Sequence, residues 1–132
     1  MRRPLLSLAR ALLGAPFVIL GYEAVAEPGA RVDLARAMGV PQPELAVRGN
    51  GAAMVAGGAA LAAGIVPRTA AVGLVASLVP TTIAGHPYWT MDDPQARKIN
   101  RIQVLKNLGL AGGLLAIAAL PSDTPAEGAP DV

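Results

Sequence analysis

The sequence predicts an all-α fold, a four-transmembrane-helix bundle with an amphipathic lead-in to the fourth helix. The 132 residues are 53% hydrophobic and 15% charged, whereas a typical soluble domain is about a quarter charged. Two apolar stretches carry no formal charge and lack the polar stripe of a soluble amphipathic helix. One of them ends in His86-Pro87-Tyr88-Trp89, which contains the only histidine and the only tryptophan. Because amphipathic rings settle at the membrane–water boundary, this cluster indicates the end of a membrane span.

Four apolar stretches define the predicted spans, at residues 5–26, 49–66, 69–89 and 107–120. About 20 apolar residues are enough to cross the hydrocarbon core, and a helix satisfies its backbone hydrogen bonds within one segment. The longest loop, residues 27–48, contains helix-breaking Pro and Gly pairs, and a tight turn is expected at Pro67-Arg68.

The fourth span has a polar lead-in that begins at Pro94, with Asp93 as its N-cap. Arg97, Lys98 and Arg101 alternate there with apolar residues, so the lead-in is expected at the level of the lipid headgroups. Residues 1–120 are predicted to form one membrane domain. Residues 121–132 are polar without an apolar period, and a disordered tail is predicted there.

The N-terminus has an alternative interpretation as a cleaved signal peptide. Arg2, Arg3, an apolar stretch and Ala24-Val25-Ala26 fit its three regions. However, Arg10 interrupts the apolar stretch and Glu23 stands beside the cleavage position, which favours a retained first helix.

Small residues predict how the helices pack, since lipid does not drive helices together and close backbone approach does. The third predicted helix has an unbroken stripe of small residues four apart, from Thr69 through Ser77 to Gly85. The second has the same spacing at Gly49, Ala53 and Gly57. A tight helix–helix seam along the stripe of the third helix is expected.

Composition excludes several functional classes. The absence of cysteine excludes disulfides, thiolate nucleophiles, thiolate metal sites and a dithiol relay within this chain. A single histidine argues against a protein-only metal site. The net charge of +2 comes from scattered basic residues, so nucleic-acid binding is not expected. No complete catalytic constellation is present, which leaves enzymatic activity open.

Ionisable side chains within membrane spans are costly and mark candidate functional residues. Arg10 and Glu23 lie in the first span, roughly 20 Å apart along a helix, so they do not pair with each other. Each is a candidate ligand-binding residue. Alternatively, Arg10 snorkels towards the headgroups and Glu23 lies at the interface beside Tyr22. Asn50 is expected to cap the second helix or to bond to a neighbouring one.

The other candidate ligand-binding residues are His86, Trp89, Lys106 and Asn107. A short loop joins the third and fourth helices, so His86 and Lys106 or Asn107 are expected to share one polar pocket. A nearby cation disfavours a charged imidazole, and a neutral ring could then bond a quinone carbonyl oxygen. Alternatively, His86 bonds a backbone carbonyl while Tyr88 and Trp89 anchor the interface.

Residues along most of the chain resemble the DoxX family of small four-helix membrane proteins, over about residues 5–120. The resemblance is carried by Arg10, Gly14, Phe17, Gly21, Gly39-Val40-Pro41, Gly57-Gly58, Gly64, Pro67-Arg68, Gly85-His86-Pro87-Tyr88-Trp89, Lys106-Asn107-Leu108 and Gly112-Gly113-Leu114-Leu115. Many relatives have an acidic residue early in the second helix, where this chain has Gly49-Asn50-Gly51-Ala52-Ala53-Met54.

The resemblance implies a multi-pass protein of the cell membrane that works in redox systems, including thiosulfate:quinone oxidoreduction and oxidative-stress complexes. This chain supplies no redox group, so electron transfer would need a bound quinone or a membrane or soluble redox partner. An accessory or quinone-interacting subunit is the expected function. The alternative is a non-enzymatic membrane scaffold or small-solute carrier, which includes a homo-oligomer.

Overall fold

The computed structural model describes residues 2–121, and this part of the chain is all-helical, with no strand. The helices are α1 (Arg2–Ala26), α2 (Ala30–Ala37), α3 (Pro43–Ala63), α4 (Pro67–Gly85) and α5 (Pro94–Ala119), with a 3₁₀ turn at Tyr88–Thr90. The predicted all-α class is confirmed. The predicted disordered tail, apart from residue 121, lies outside the described residues.

Three segments in the described range are long and apolar enough to cross a membrane: Arg3–Ala26, Pro67–Thr90 and Pro94–Ala119. Helix α3 is of similar length but is not among these segments, and its sequence contains Arg48, Asn50 and several glycines.

The four long helices alternate in direction. Gly14 lies against Gly58 and Gly21 against Gly51, so α1 and α3 are antiparallel. Helices α3 and α4 are antiparallel too, since Asn50 contacts Ser77 and Gly57 contacts Leu74. The pairs Thr82–Asn107 and His86–Asn100 show the same relation between α4 and α5. One end of the bundle, the loop end, contains the α1–α3 and α4–α5 connections. The other, the turn end, contains the α3–α4 turn at residues 64–66.

The predicted helix–helix seam on the third span is observed only at Ser77 and Thr81, which bond Asn50 of α3. Added Cβ atoms at Gly73 and Gly85 of α4 would meet nothing within 4 Å. The close seam joins α1 to α3, where a Cβ at Gly21 would lie 2.6 Å from the carbonyl oxygen of Gly51. Gly51 and Gly58 lie on a different face of α3 from the predicted Gly49, which has open space around it.

A small apolar core fills the space between the helices. Its fully buried large side chains are Leu61, Leu74 and Leu114, one each from α3, α4 and α5, and Phe17 of α1 packs into the same cluster. Most large apolar residues on α1 are instead exposed, among them Leu5, Leu8, Leu12 and Ile19. In a membrane protein these outward side chains face lipid.

Several predicted boundaries shift. Helix α3 begins at Pro43 rather than residue 49, and Pro67 is the first residue of α4 rather than part of a turn. Helix α4 ends at Gly85, before the predicted residue 89, because Pro87 lacks an N–H and disfavours helical backbone at His86. The short helix α2 lies inside the segment that was predicted as a loop. The predicted N-cap of α5 is confirmed, since the Asp93 carboxylate accepts the Ala96 N–H at 2.7 Å.

Candidate functional site

His86 follows the last residue of α4. Its side chain is half-buried and contacts α5. Its Nδ1 lies 2.9 Å from Oδ1 of Asn100. The Asn100 Nδ2 donates to the carbonyl oxygen of Ala96 at 2.9 Å, and only the amide nitrogen can do this. Oδ1 therefore faces the ring and accepts a hydrogen bond, so Nδ1 of His86 carries a proton. In the neutral ring, Nε2 is then a hydrogen-bond acceptor, and no residue in the range 2–121 bonds it.

The expected pairing of His86 with Lys106 or Asn107 is wrong. Lys106 is exposed and donates to Oε1 of Gln103 at 3.1 Å. Asn107 donates to Oγ1 of Thr82 at 2.9 Å, one turn before His86 on α4. The bond between Thr82 and Asn107 defines the register of α4 and α5. In this register Asn100, about two turns before Asn107 on α5, lies beside His86.

Tyr88 and Trp89 follow His86 in the 3₁₀ turn. Their rings meet edge to face, with centroids 5.3 Å apart and planes at 74°, a favoured aromatic geometry. The Trp89 side chain is 51% exposed. Trp89 thus lies at the surface of the loop end, three residues after His86 in the sequence.

A polar cluster links α3 to α4 further into the bundle. The buried Ser77 hydroxyl donates to Oδ1 of Asn50 at 2.7 Å. The Asn50 Nδ2 donates to Oγ1 of Thr81 at 3.1 Å, and Thr81 donates to the Ser77 carbonyl at 2.8 Å. Of the two roles predicted for Asn50, the bond to a neighbouring helix is the one observed. These partners satisfy its amide, so the cluster has a structural role.

Glu23 lies at the loop end on α1. Its carboxylate pairs with Arg31 of α2 at 3.5 Å, and both side chains are exposed. Arg31 also donates to the Glu27 carbonyl, and Arg48 donates to the Val25 carbonyl. Cationic side chains here satisfy the carbonyls that α1 leaves unpaired at its C-terminal end. The ion pair of Glu23 thus helps hold α2 against α1.

Arg10 lies towards the turn end, away from His86. Its guanidinium approaches Gly64, where an added Cβ would be 3.2 Å from Nη1. Its buried Nε has no hydrogen-bond partner within the described residues. A cation beside the C-terminal end of α3 is favoured by the helix dipole.

The six candidate ligand-binding residues therefore do not form one site. His86 and Trp89 lie together at the loop end, Glu23 lies at the same end on α1, and Arg10 lies near the opposite end. Lys106 and Asn107 bond elsewhere on α4 and α5. Asn100 was missed, since nothing in the sequence distinguishes it from a solvated helix residue. No group of three or more His, Asp or Glu side chains within residues 2–121 is arranged to hold a metal ion.

The apolar helices and their polar cross-links define the chain as a helical protein of membrane type. The DoxX family model matches residues 5–87, more than half of the chain, and the protein belongs to the DoxX family. The match extends from α1 through α4 to His86 and Pro87, which confirms the family resemblance. Searches of curated proteins and of solved structures returned no match.

Proposed function

We propose that this protein crosses the cell membrane four times and serves as a quinone-interacting accessory subunit of a membrane redox or oxidative-stress system. The quinone headgroup binds at the loop end, beside His86 and Trp89. The observation that carries the proposal is the bond between His86 and Asn100, which holds one ring nitrogen and leaves the other available.

The four-span part of the proposal rests on α3. This helix is antiparallel to both α1 and α4, and its Gly51 and Gly58 lie against the backbone of α1. A helix packed that closely between two membrane-crossing helices crosses the bilayer as they do. Its most polar side chain near the middle, Asn50, has its hydrogen bonds supplied by Ser77 and Thr81, which lowers the cost of burial in lipid.

The chemistry at His86 differs from the sequence-based expectation. Since Nδ1–H is engaged by Asn100, a neutral ring offers Nε2 only as an acceptor, and this suits a quinol O–H rather than a quinone carbonyl. After the ring takes that proton, Nε2–H can donate to a quinone oxygen. His86 thus exchanges one proton with the bound headgroup, a common role for histidine.

The electrons pass to or from another protein. Reduction of a quinone to a quinol takes two electrons and two protons, of which His86 supplies one and water at the membrane surface supplies the other. A partner that carries a flavin, a haem or a dithiol supplies the electrons. Cysteine is absent from the chain, so no dithiol relay operates within it.

Trp89 provides the test, because it is the only tryptophan. We expect decylubiquinol added to the full chain in nanodiscs to quench its fluorescence saturably, beyond the linear quenching caused by partition into lipid. His86→Asn retains a side-chain N–H in the position of Nδ1 but lacks Nε2, so the saturable part should disappear. Lys106→Gln is the matched control and should keep it. Linear quenching in the wild type, or equal saturation in His86→Asn, would overturn the proposed quinone site.

The second candidate function is a non-enzymatic scaffold or small-solute carrier. It is favoured because the polar side chains of Asn50, Asn107 and Ser77 form their hydrogen bonds with neighbouring helices. Native mass spectrometry of the detergent-extracted complex separates the two candidates. A stable partner that carries flavin, haem or a dithiol supports the redox subunit, and a homo-oligomer without such a partner supports the scaffold.

A further inference from the structure

Helix α5 begins with a basic surface formed by Arg97, Lys98 and Arg101. All three side chains are exposed, and none forms an ion pair or side-chain hydrogen bond with another described residue. Other arginines at the same end of the bundle differ. Arg36 pairs with Asp33 at 2.7 Å, and Arg48 pairs with Glu44 at 3.0 Å. Within the described residues, Arg97, Lys98 and Arg101 are thus basic side chains at the loop end without an acidic partner.

Their position adds a modest repulsion among these exposed charges. The N-terminal end of a helix carries a partial positive charge, and the first turn of α5 contains no acidic residue. Arg97 and Arg101 are four residues apart, and Lys98 and Arg101 are three apart, so like charges face each other on the helix surface. Of the two acidic residues before the helix, Asp93 caps it at Ala96, and Asp92 forms no ion pair with the three cations. An anion from outside the chain would relieve this repulsion.

The same turns of α5 expose apolar side chains. Ile99, Ile102 and Leu105 are 52%, 47% and 55% exposed. Where a membrane-crossing helix meets the headgroups, cations are expected at the phosphate level and apolar side chains at the upper acyl chains. A free inorganic anion or an acidic peptide would meet the charges but would not cover these side chains. An anionic phospholipid meets both requirements.

We propose that the basic surface of α5 binds the phosphate groups of anionic phospholipids, while Ile99, Ile102 and Leu105 contact their upper acyl chains. The bound lipid neutralises the start of α5 and holds its first turns at the headgroup level. The proposal does not depend on quinone binding at His86, and its measurements contain no quinone.

The test uses the full chain in an uncharged detergent, with phosphatidylglycerol or phosphatidylcholine of the same acyl composition added. We expect phosphatidylglycerol to raise the melting temperature more, and native mass spectrometry to show it retained preferentially. Each basic residue near an anionic surface is worth about a fivefold change in affinity. The triple variant Arg97→Gln, Lys98→Gln, Arg101→Gln should therefore lose most of the preference, and salt should weaken it in the wild type.

Two control variants sharpen the test. Arg36→Gln removes an exposed arginine from the same end of the bundle, one that already has a carboxylate partner, and should keep the preference. Arg97→Lys with Arg101→Lys keeps the charges and should also keep it. Equal responses to the two lipids would overturn the proposal. So would an equal response to inorganic phosphate at matched ionic strength, or a stronger response to polyglutamate than to phosphatidylglycerol.

Discussion

Gly21 and Gly51 face each other across the seam between α1 and α3, each within van der Waals reach of the other's backbone. A Cβ built on Gly21 would lie 2.6 Å from the Gly51 carbonyl oxygen, and one on Gly51 would lie 2.7 Å from that of Gly21. Gly14 and Gly58 repeat the arrangement two turns away. Without a hydrophobic drive in lipid, this backbone contact is a main source of helix association.

We expect Gly21→Ala and Gly51→Ala each to lower the free energy of unfolding by about 1–3 kcal/mol, because the added methyl group overpacks the seam. Reversible unfolding by dodecyl sulfate in mixed micelles measures this. Gly49→Ala and Gly73→Ala are the controls, since their added Cβ atoms meet nothing within 4 Å. They should leave the stability unchanged or raise it by about 1 kcal/mol. Equal losses in all four variants would contradict the seam.

Gly64→Ala tests the end of α3. Gly64 has a φ of 73°, and its N–H bonds to Leu61 while that of Ile65 bonds to Ala60, a Schellman motif. The left-handed conformation costs a non-glycine residue roughly 1–2 kcal/mol. Gly39→Ala is the control, with a φ of 74° and open space around its Cβ position. Since Gly64 also lies against Arg10, thermal unfolding should show a larger loss for Gly64→Ala than for Gly39→Ala. Equal losses would mean that Arg10 moves aside at no cost.

The bond between Asn50 and Ser77 should be measurable by a double-mutant cycle. Interhelical hydrogen bonds in membranes contribute about 0.6 kcal/mol on average and about 1.7 at most. We expect the coupling energy of Asn50→Ala with Ser77→Ala to fall in the upper part of this range, because Ser77 is buried. Asn50→Ala with Thr82→Ala serves as a reference pair without a mutual bond. A coupling no larger than that of the reference pair would argue against the bond.

The tautomer of His86 can be observed directly, because the chain contains one histidine. Nitrogen-15 spectra of the labelled protein, at a pH where the ring is neutral, should show the proton on Nδ1. Asn100→Leu removes the acceptor at 2.9 Å and should abolish this preference. Asn107→Leu removes an amide that bonds Thr82 instead and should leave the His86 spectrum unchanged. A proton on Nε2 in the wild type would contradict the assignment.

The four-span topology predicts a labelling pattern. The chain has no cysteine, so an introduced cysteine is the only target for an impermeant thiol reagent. Met38→Cys and Asp92→Cys should react from one side of the membrane. Ile65→Cys, in the exposed turn between α3 and α4, should react from the opposite side. If Met38→Cys and Ile65→Cys react from the same side, α3 does not span.

Local patterns in the sequence were sufficient to predict several elements. The segments around α1, α4 and α5 are long and apolar enough to cross a membrane, and that property does not depend on neighbouring helices. Asp93 before Pro94 predicted the start of α5 correctly, since a cap acts within one turn. Helix α2 was missed because eight residues between Gly29 and Met38 are too few to show a clear period.

The choice of packing faces could not be predicted in this way. Helix α3 has small residues on two faces, one with Gly49 and Gly57 and another with Gly51 and Gly58. Spacing alone does not distinguish them, because either face permits close approach. Only the position of α1 selects Gly51 and Gly58 for the seam.

For the candidate site, the sequence by itself determined that His86 lies near the end of an apolar span, beside Tyr88 and Trp89. The tertiary structure decided its partner. A hydrogen bond between two helices depends on their register and rotation, which are set by packing along their whole length. That register places Asn100 opposite His86 and Asn107 opposite Thr82, so the proton on Nδ1 and an Nε2 without a partner in residues 2–121 could be inferred only from the folded chain.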